Sequence, residues 1–212
     1  MLVLALDTAT PTLVAGLARW SGGADVEVLA DHAVPSGNRH AELLTPAIEQ
    51  VLAEAGLGVG DLDAVVTGLG PGPFTGLRVG VVTAAALADA RGLPAVGVCS
   101  LDAIGSGART VVTDARRKEL YWASYDERGT RTEGPAVVRP EELRRPGPFV
   151  GDPAFADRLG APVVPADVTT AGLVRVAAPQ LADPSSAAPL VPLYLRRPDA
   201  TPPAAIKAVS QA

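Results

Sequence analysis

The chain has 212 residues, a formal net charge of −5, one cysteine and two histidines. That length suits one large domain or two lobes of about 100 residues each. The acidic balance argues against a chain that grips nucleic acid unaided, and the lone Cys99 excludes an internal disulfide and fits a reducing compartment.

Leu2 to Leu6 reads as an apolar strand ending in the turn-rich Asp7-Thr8-Ala9-Thr10-Pro11. No basic residues precede this short run, so no signal peptide is expected. Thr12 to Trp20 and Asp25 to Val34 are β-rich and joined by Ser21-Gly22-Gly23-Ala24, a hairpin signal. His40 to Ala55 turns helical, with Leu44, Ala47, Ile48, Val51, Leu52 and Ala55 on one stripe and Glu42, Glu49 and Ala53 opposite. Pro46 removes one helical hydrogen bond, which predicts either a kink or a helix beginning near Thr45.

Ala64 to Thr67 is a short strand running into Gly68-Leu-Gly-Pro-Gly-Pro-Phe-Thr-Gly76, and a long helix follows. Strand, glycine turn and helix form the geometry that presents backbone N–H groups to an anion. The phosphate-loop pattern is absent, because Gly76-Leu77-Arg78 stands where Gly-Lys-Ser/Thr is needed. The dinucleotide fingerprint also lacks its third glycine, so a tight turn built for close packing is the competing reading.

From Val79 to Ala88 the helix carries Thr83 as its only polar side chain. A helix apolar all round is covered on every side, and ten residues are too few to cross a bilayer, which takes about 20. Gly76, Gly80, Ala84 and Ala88 form a ridge of small residues along one side. Arg78 and Asp89 bracket Val82 and Ala85 on the other, in the manner of an interface core with a charged rim. The expectation is that the chain's own sheet covers one face and a partner the other; a central helix buried in one large domain is the alternative.

Strand Ala95 to Cys99 closes the first half, giving the order three strands, helix, strand, helix, strand. In the second half, Thr110 to Thr113 and Leu120 to Tyr125 read as paired strands around the charged turn Asp114-Ala-Arg-Arg-Lys-Glu119. Thr130 to Val138 is a further strand, and Pro140 to Leu143 starts a short helix. Phe149 to Gly151 and Pro162 to Val164 are short strands around a helical piece at Ala154 to Leu159, and Thr170 to Leu181 is the last helix. The expected division is a first lobe over residues 1–99, a smaller second lobe over 100–182, and an extended or disordered Pro/Ala-rich tail over 183–212.

Two α/β lobes of this order resemble the actin/sugar kinase/Hsp70 superfamily, whose core is RNase H-like. More narrowly, Leu4-Ala-Leu-Asp-Thr-Ala-Thr10, His40-Ala-Glu-Leu-Leu44 with Pro46, Gly70-Pro-Gly-Pro-Phe-Thr-Gly-Leu-Arg-Val-Gly80, Asp114-Ala-Arg-Arg-Lys-Glu-Leu-Tyr121 and Pro192-Leu-Tyr-Leu-Arg196 resemble the TsaB (YeaZ) family. The glycine segment is the most specific of these, and it departs from the family at Pro73, where a serine is usual. The resemblance implies a cytoplasmic, non-catalytic dimerisation subunit of the bacterial machinery that makes threonylcarbamoyladenosine (t6A) at adenosine 37 of tRNA. The implied partners are the catalytic metal-bearing paralogue TsaD and the ATPase TsaE. It further implies a homodimer when alone, contact with tRNA only through the complex, and no cofactor.

The residues are consistent with that assignment. A metal site of the paralogue's kind needs two histidines four apart on a helix, whereas His32 and His40 are eight apart. Asp7 and Thr8 with Gly70, Gly72 and Gly76 are the candidates for a vestigial nucleotide or phosphate turn, with strand termination as the plainer role. Leu44, Ile48, Leu52, Arg78, Val82, Ala85 and Asp89 are the candidates for a partner surface. A stand-alone ATP-dependent phosphotransferase of the sugar-kinase type is the alternative function. It needs a second phosphate hairpin and an adenosine-binding glycine pair, which Gly105, Gly107 and Gly151 do not supply.

Overall fold

The computed structural model describes residues 1–23, 25–37 and 39–196. Its first sheet contains β1 (Leu2–Asp7), β2 (Thr12–Trp20), β3 (Val26–Pro35), β4 (Ala64–Gly68) and β5 (Ala95–Val98), in the order β3-β2-β1-β4-β5. β1, β4 and β5 run parallel, while β2 and β3 are antiparallel additions to one side. β1 reads as an unbroken apolar run because both of its faces are covered. Alternation sends Leu4 and Leu6 to one face, and Val3 and Ala5 to the other.

The Leu4 face is covered by α1 (His40–Glu54) and α2 (Phe74–Arg91). α1 begins at His40, six residues ahead of Pro46, so neither Thr45 nor the proline opens the helix. α2 ends where Gly92 turns left-handed at φ +64°, a conformation that costs a glycine little.

The second sheet contains β6 (Arg109–Asp114), β7 (Leu120–Tyr125), β8 (Arg131–Val138), β9 (Phe149–Gly151) and β10 (Val163–Pro165), in the order β10-β9-β6-β7-β8. A short helix α3 (Ala156–Leu159) covers one of its faces beside Phe149 and Phe155. The crossing between sheets is a 3₁₀ turn, Ser100–Ala103, tied to β6 by Arg109. The Arg109 guanidinium donates to the carbonyls of Ile104, Gly107 and Asp102 and lies 4.0 Å above the Tyr125 ring. The Tyr125 hydroxyl in turn donates to Asp102 Oδ1 at 2.8 Å.

The last helix, α4 (Thr170–Ala182), does not stay with the second sheet. Leu173, Val174, Ala177 and Leu181 pack in one cluster with Val3, Ala5, Val14 and Val66 of the first sheet. Val111, Tyr121, Ala123 and Tyr125 of the second sheet join that cluster, so one continuous core spans both sheets. The sheets part near residue 99, and residues 170–182, placed by the sequence in the expected second lobe over 100–182, pack against the first one. Hydrophobic pattern alone says that α4 has an apolar face, not which sheet receives it.

Beyond a 3₁₀ turn at Pro184–Ser186 the tail is extended up to Arg196 and is tied down at several points. The Leu193 N–H donates to the Leu69 carbonyl, Leu193 and Leu195 pack on the shared core, and Arg196 pairs with Glu119 at 3.1 Å. The remainder of the expected tail, 197–212, and Ala24 of the expected hairpin lie outside the described residues. Since Leu173 is fully buried between α4 and the first sheet, Leu173→Ala should cost about 3 kcal/mol, within the usual range for a buried leucine. Urea unfolding followed by circular dichroism checks this, and a loss below about 1 kcal/mol would mean that α4 is not integral to the core.

Candidate functional site

β1 delivers Asp7 to the C-terminal end of the central strand of the first sheet, beside the glycine turn that follows β4. The Asp7 side chain is fully buried and accepts from Ser100 Oγ at 2.5 Å and from the Ala9 N–H at 2.8 Å. Ser100 Oγ accepts from the Gly70 N–H at 3.1 Å, and the Ser100 N–H donates to the Gly70 carbonyl at 2.8 Å. One serine therefore holds both the carboxylate and the glycine turn. Burial pushes the Asp7 carboxyl up to about 6, against the opposing effect of the Ser100 hydrogen bond.

Thr8 does the same for α2. Its hydroxyl donates to the Gly76 carbonyl at 2.7 Å and accepts from the Gly80 N–H at 3.0 Å, so it sits against the helix backbone itself. Only glycine permits this approach. A Cβ at Gly80 would lie 2.6 Å from Thr8 Oγ1, and one at Gly76 would lie 2.8 Å from the Thr8 carbonyl oxygen. Gly72 meets Ala9 in the same way, with 2.2 Å between its absent Cβ and the Ala9 carbonyl oxygen. His40 Nε2 donates to the Thr10 carbonyl at 3.0 Å and fixes the start of α1 to the same turn.

Asp7, Thr8, Gly70, Gly72 and Gly76, expected together as a vestigial phosphate turn, are brought together by the fold. The side-chain oxygens of Asp7 and Thr8 are engaged within the chain, and the space above Gly72 and Gly76 is filled by Ala9 and Thr8. The arrangement acts as a brace between two turns. Among the described residues no group of three or more His, Cys, Asp and Glu side chains is placed to hold a metal ion. Burial pushes the Cys99 thiol up to about 12, which leaves it unreactive.

The residues expected at a partner surface fall into two sets. Leu44, Ile48 and Leu52 are buried against the Leu4 face of the first sheet and have no surface to present. An apolar stripe looks the same in sequence whether its own sheet or a partner covers it. Arg78, Val82, Ala85 and Asp89 are all exposed along one side of α2, with Val82 63% accessible. The opposite side of α2, through Gly76, Gly80, Ala84 and Ala88, is the buried one. Beside Arg78 lies Tyr194 of the tail, whose hydroxyl accepts from Arg78 Nε at 3.0 Å.

A family model described as TsaD, tRNA N6-adenosine threonylcarbamoyltransferase, matches residues 34–193. A Mycobacterium tuberculosis protein described as uncharacterized is 52% identical over 207 residues, 94% of each chain. The Escherichia coli tRNA threonylcarbamoyladenosine biosynthesis protein TsaB is 35% identical over 153 residues, 66% of this chain and 64% of that protein. The structure of YeaZ from Pseudomonas aeruginosa matches with a TM-score of 0.73 at 26% identity, covering 92% of this chain and 99% of that one. The chain belongs to the TsaB (YeaZ) family.

Its fold is accordingly that of the actin/sugar kinase/Hsp70 superfamily, with two mixed sheets and flanking helices. Within this TsaB-family chain, sequence reasoning missed Ser100 and Tyr194. Ser100 follows an apolar strand with no motif around it; the only available signal was the need for a partner to a buried Asp7. No helix among the described residues is long and apolar enough to cross a membrane.

The Asp7 carboxyl titrates in the unfolded chain near 4 and in the fold at about 6. Between those values the folded state holds the proton more tightly, so this group's contribution to stability falls as pH rises from about 4 to about 6 and is level above that. Two units correspond to a loss on the order of 3 kcal/mol. Asp7→Asn should remove that part of the slope. Urea unfolding of both proteins from pH 4 to 7 checks this, and parallel curves would show that Asp7 does not titrate as its burial requires.

Proposed function

We propose that this chain is a non-catalytic scaffold subunit of the machinery that builds t6A in tRNAs reading ANN codons. It pairs with a TsaD-type catalytic paralogue, helps recruit a TsaE-type ATPase, self-associates when alone, and meets tRNA through the complex. Family membership ties the role to t6A, through relatives named for threonylcarbamoyladenosine biosynthesis. The observation that carries the scaffold role is the outer face of α2. Val82 is 63% exposed on a helix whose other face is locked onto the chain's own sheet, and charged Arg78 and Asp89 lie at its two ends. Val82 and Ala85 form the apolar centre of the pairing face, and Arg78 and Asp89 its rim.

The braced cleft supports the same reading. A phosphotransferase needs open backbone donors and a free carboxylate for a metal-bound nucleotide. Here the Asp7 and Thr8 oxygens and the Gly76–Gly80 stretch are engaged with one another. That distribution favours the scaffold over the sugar-kinase alternative.

Two outcomes are expected. Purified alone, the chain neither hydrolyses ATP nor modifies tRNA, as read by phosphate release and by nucleoside mass analysis. Turnover that survives repurification would overturn the non-catalytic role. Val82→Asp places a carboxylate at a desolvated contact, a cost of several kcal/mol, and should weaken binding to the paralogue at least a hundredfold in calorimetry. Its melting temperature should stay within a few degrees of the parent, because the site is exposed in the free chain. A folded Val82→Asp variant that binds the paralogue normally would remove α2 from the interface.

A further inference from the structure

The turn between β6 and β7 has a backbone that its own residues disfavour. Among the described residues, Arg116, Arg117 and Lys118 are the only ones other than glycine with a left-handed backbone, at φ 60°, 52° and 65°. A Cβ crowds the neighbouring carbonyl there, and glycine, asparagine or aspartate would fill such a turn at lower cost. Three basic residues fill it instead, and contacts from beneath hold it in shape. The Ala115 N–H donates to the Glu119 carbonyl at 3.1 Å, and the Glu119 N–H to the Arg116 carbonyl at 2.9 Å. Asp114 Oδ1 accepts from the Arg116 N–H at 2.8 Å. From the tail, Arg196 Nη1 donates to the Ala115 carbonyl at 2.5 Å, and Nη2 pairs with Glu119 at 3.1 Å. Backbone strain that its surroundings keep in place in this way collects at functional segments.

We infer that this hairpin tip is an RNA-backbone contact, with Arg116, Arg117 and Lys118 set against phosphates of the tRNA on which the catalytic paralogue acts. The inference rests on the reading of the chain as that paralogue's scaffold and adds a direct contact to it. Composition selects the occupant. All three basic residues are exposed, and Ala115, the one apolar residue of the turn, is buried. Protein interfaces are centred on apolar or aromatic anchors, whereas phosphates ask for charge alone. The acidic residues of the turn are spent internally, Asp114 on the Arg116 N–H and Glu119 on Arg196. Placement agrees. The Tyr194 hydroxyl accepts from Arg78 on the outer side of α2, and two residues later Arg196 grips the hairpin. Two residues of chain span at most about 7 Å, so the basic tip flanks the face proposed for the paralogue. Three cations on a chain of net charge −5 are too few to hold RNA alone, so the contact acts within the complex.

Titration of the reconstituted complex with the paralogue against an unmodified transcript of a tRNA reading an ANN codon, over a salt series, tests this. The triple variant Arg116→Gly, Arg117→Gly, Lys118→Gly should weaken RNA binding about tenfold at about 150 mM salt and make the salt dependence shallower by about two ions. It should melt within a few degrees of the parent, because glycine is at ease in a left-handed backbone. Arg128→Ala, in the exposed turn at the other end of β7, should leave the affinity within about twofold. If the glycine variant pairs with the paralogue and binds RNA like the parent, the inference is overturned and the scaffold reading stands. If it loses the paralogue instead, the tip meets protein, which overturns the RNA contact too. An equal loss in Arg128→Ala means general charge and also overturns it. A parent chain that does not bind the paralogue removes the scaffold reading and this one with it. Should the glycine variant melt early, Lys118→Glu decides: a loss of about fivefold or more supports the contact, and unchanged affinity overturns it.

Discussion

The contact on which the rest of the structure depends is the hydrogen-bonded junction of Asp7, Ser100 and Gly70. It joins the end of β1, the turn after β4 and the crossing into the second sheet, three points far apart in sequence. A carboxylate there is expensive to desolvate, and the rise of its pKa to about 6 is the mark of that expense. Its hydrogen bonds return part of the cost, and the geometry they enforce is what lets Thr8 reach the backbone of α2. The glycines at 72, 76 and 80 follow from this closeness rather than from any need for flexible turns.

Once α2 is drawn onto β1 in this way, its two sides acquire different fates. The small-residue ridge disappears under the first sheet, and among the described residues the Val82 side is left facing outward. α4 and the second sheet already occupy the opposite face of the first sheet. The proposed pairing face is thus the side of α2 that the packing of the first sheet leaves outward.

Much of this was legible in sequence, and the limits of legibility are physical. β1, β2, β4 and β7 were readable because short apolar runs bounded by turn-rich or charged stretches have few other outcomes. The exposed side of α2 was readable because the charges of Arg78 and Asp89 favour water. The stripe of Leu44, Ile48 and Leu52 was legible as a buried face, while periodicity does not report what buries it, here the chain's own first sheet. For the same reason the sequence does not say which sheet receives α4. The path of the tail had no local signature at all, because alternate residues in Leu193-Tyr194-Leu195-Arg196 take their places from non-local contacts.

The return of α4 to the first sheet also has a consequence for how the chain is made. β1 leaves the ribosome early, but the helix that covers its Val3 and Ala5 face lies at Thr170–Ala182, more than 160 residues later. At ordinary rates of synthesis that interval lasts roughly 10 to 30 s. Until α4 emerges, the Val3 and Ala5 face of the nascent first sheet lacks part of its cover, the kind of transiently exposed apolar surface that aggregates when concentrated. Completion of the fold is thereby a late event in translation, governed by contacts of high sequence separation rather than by the early strands themselves.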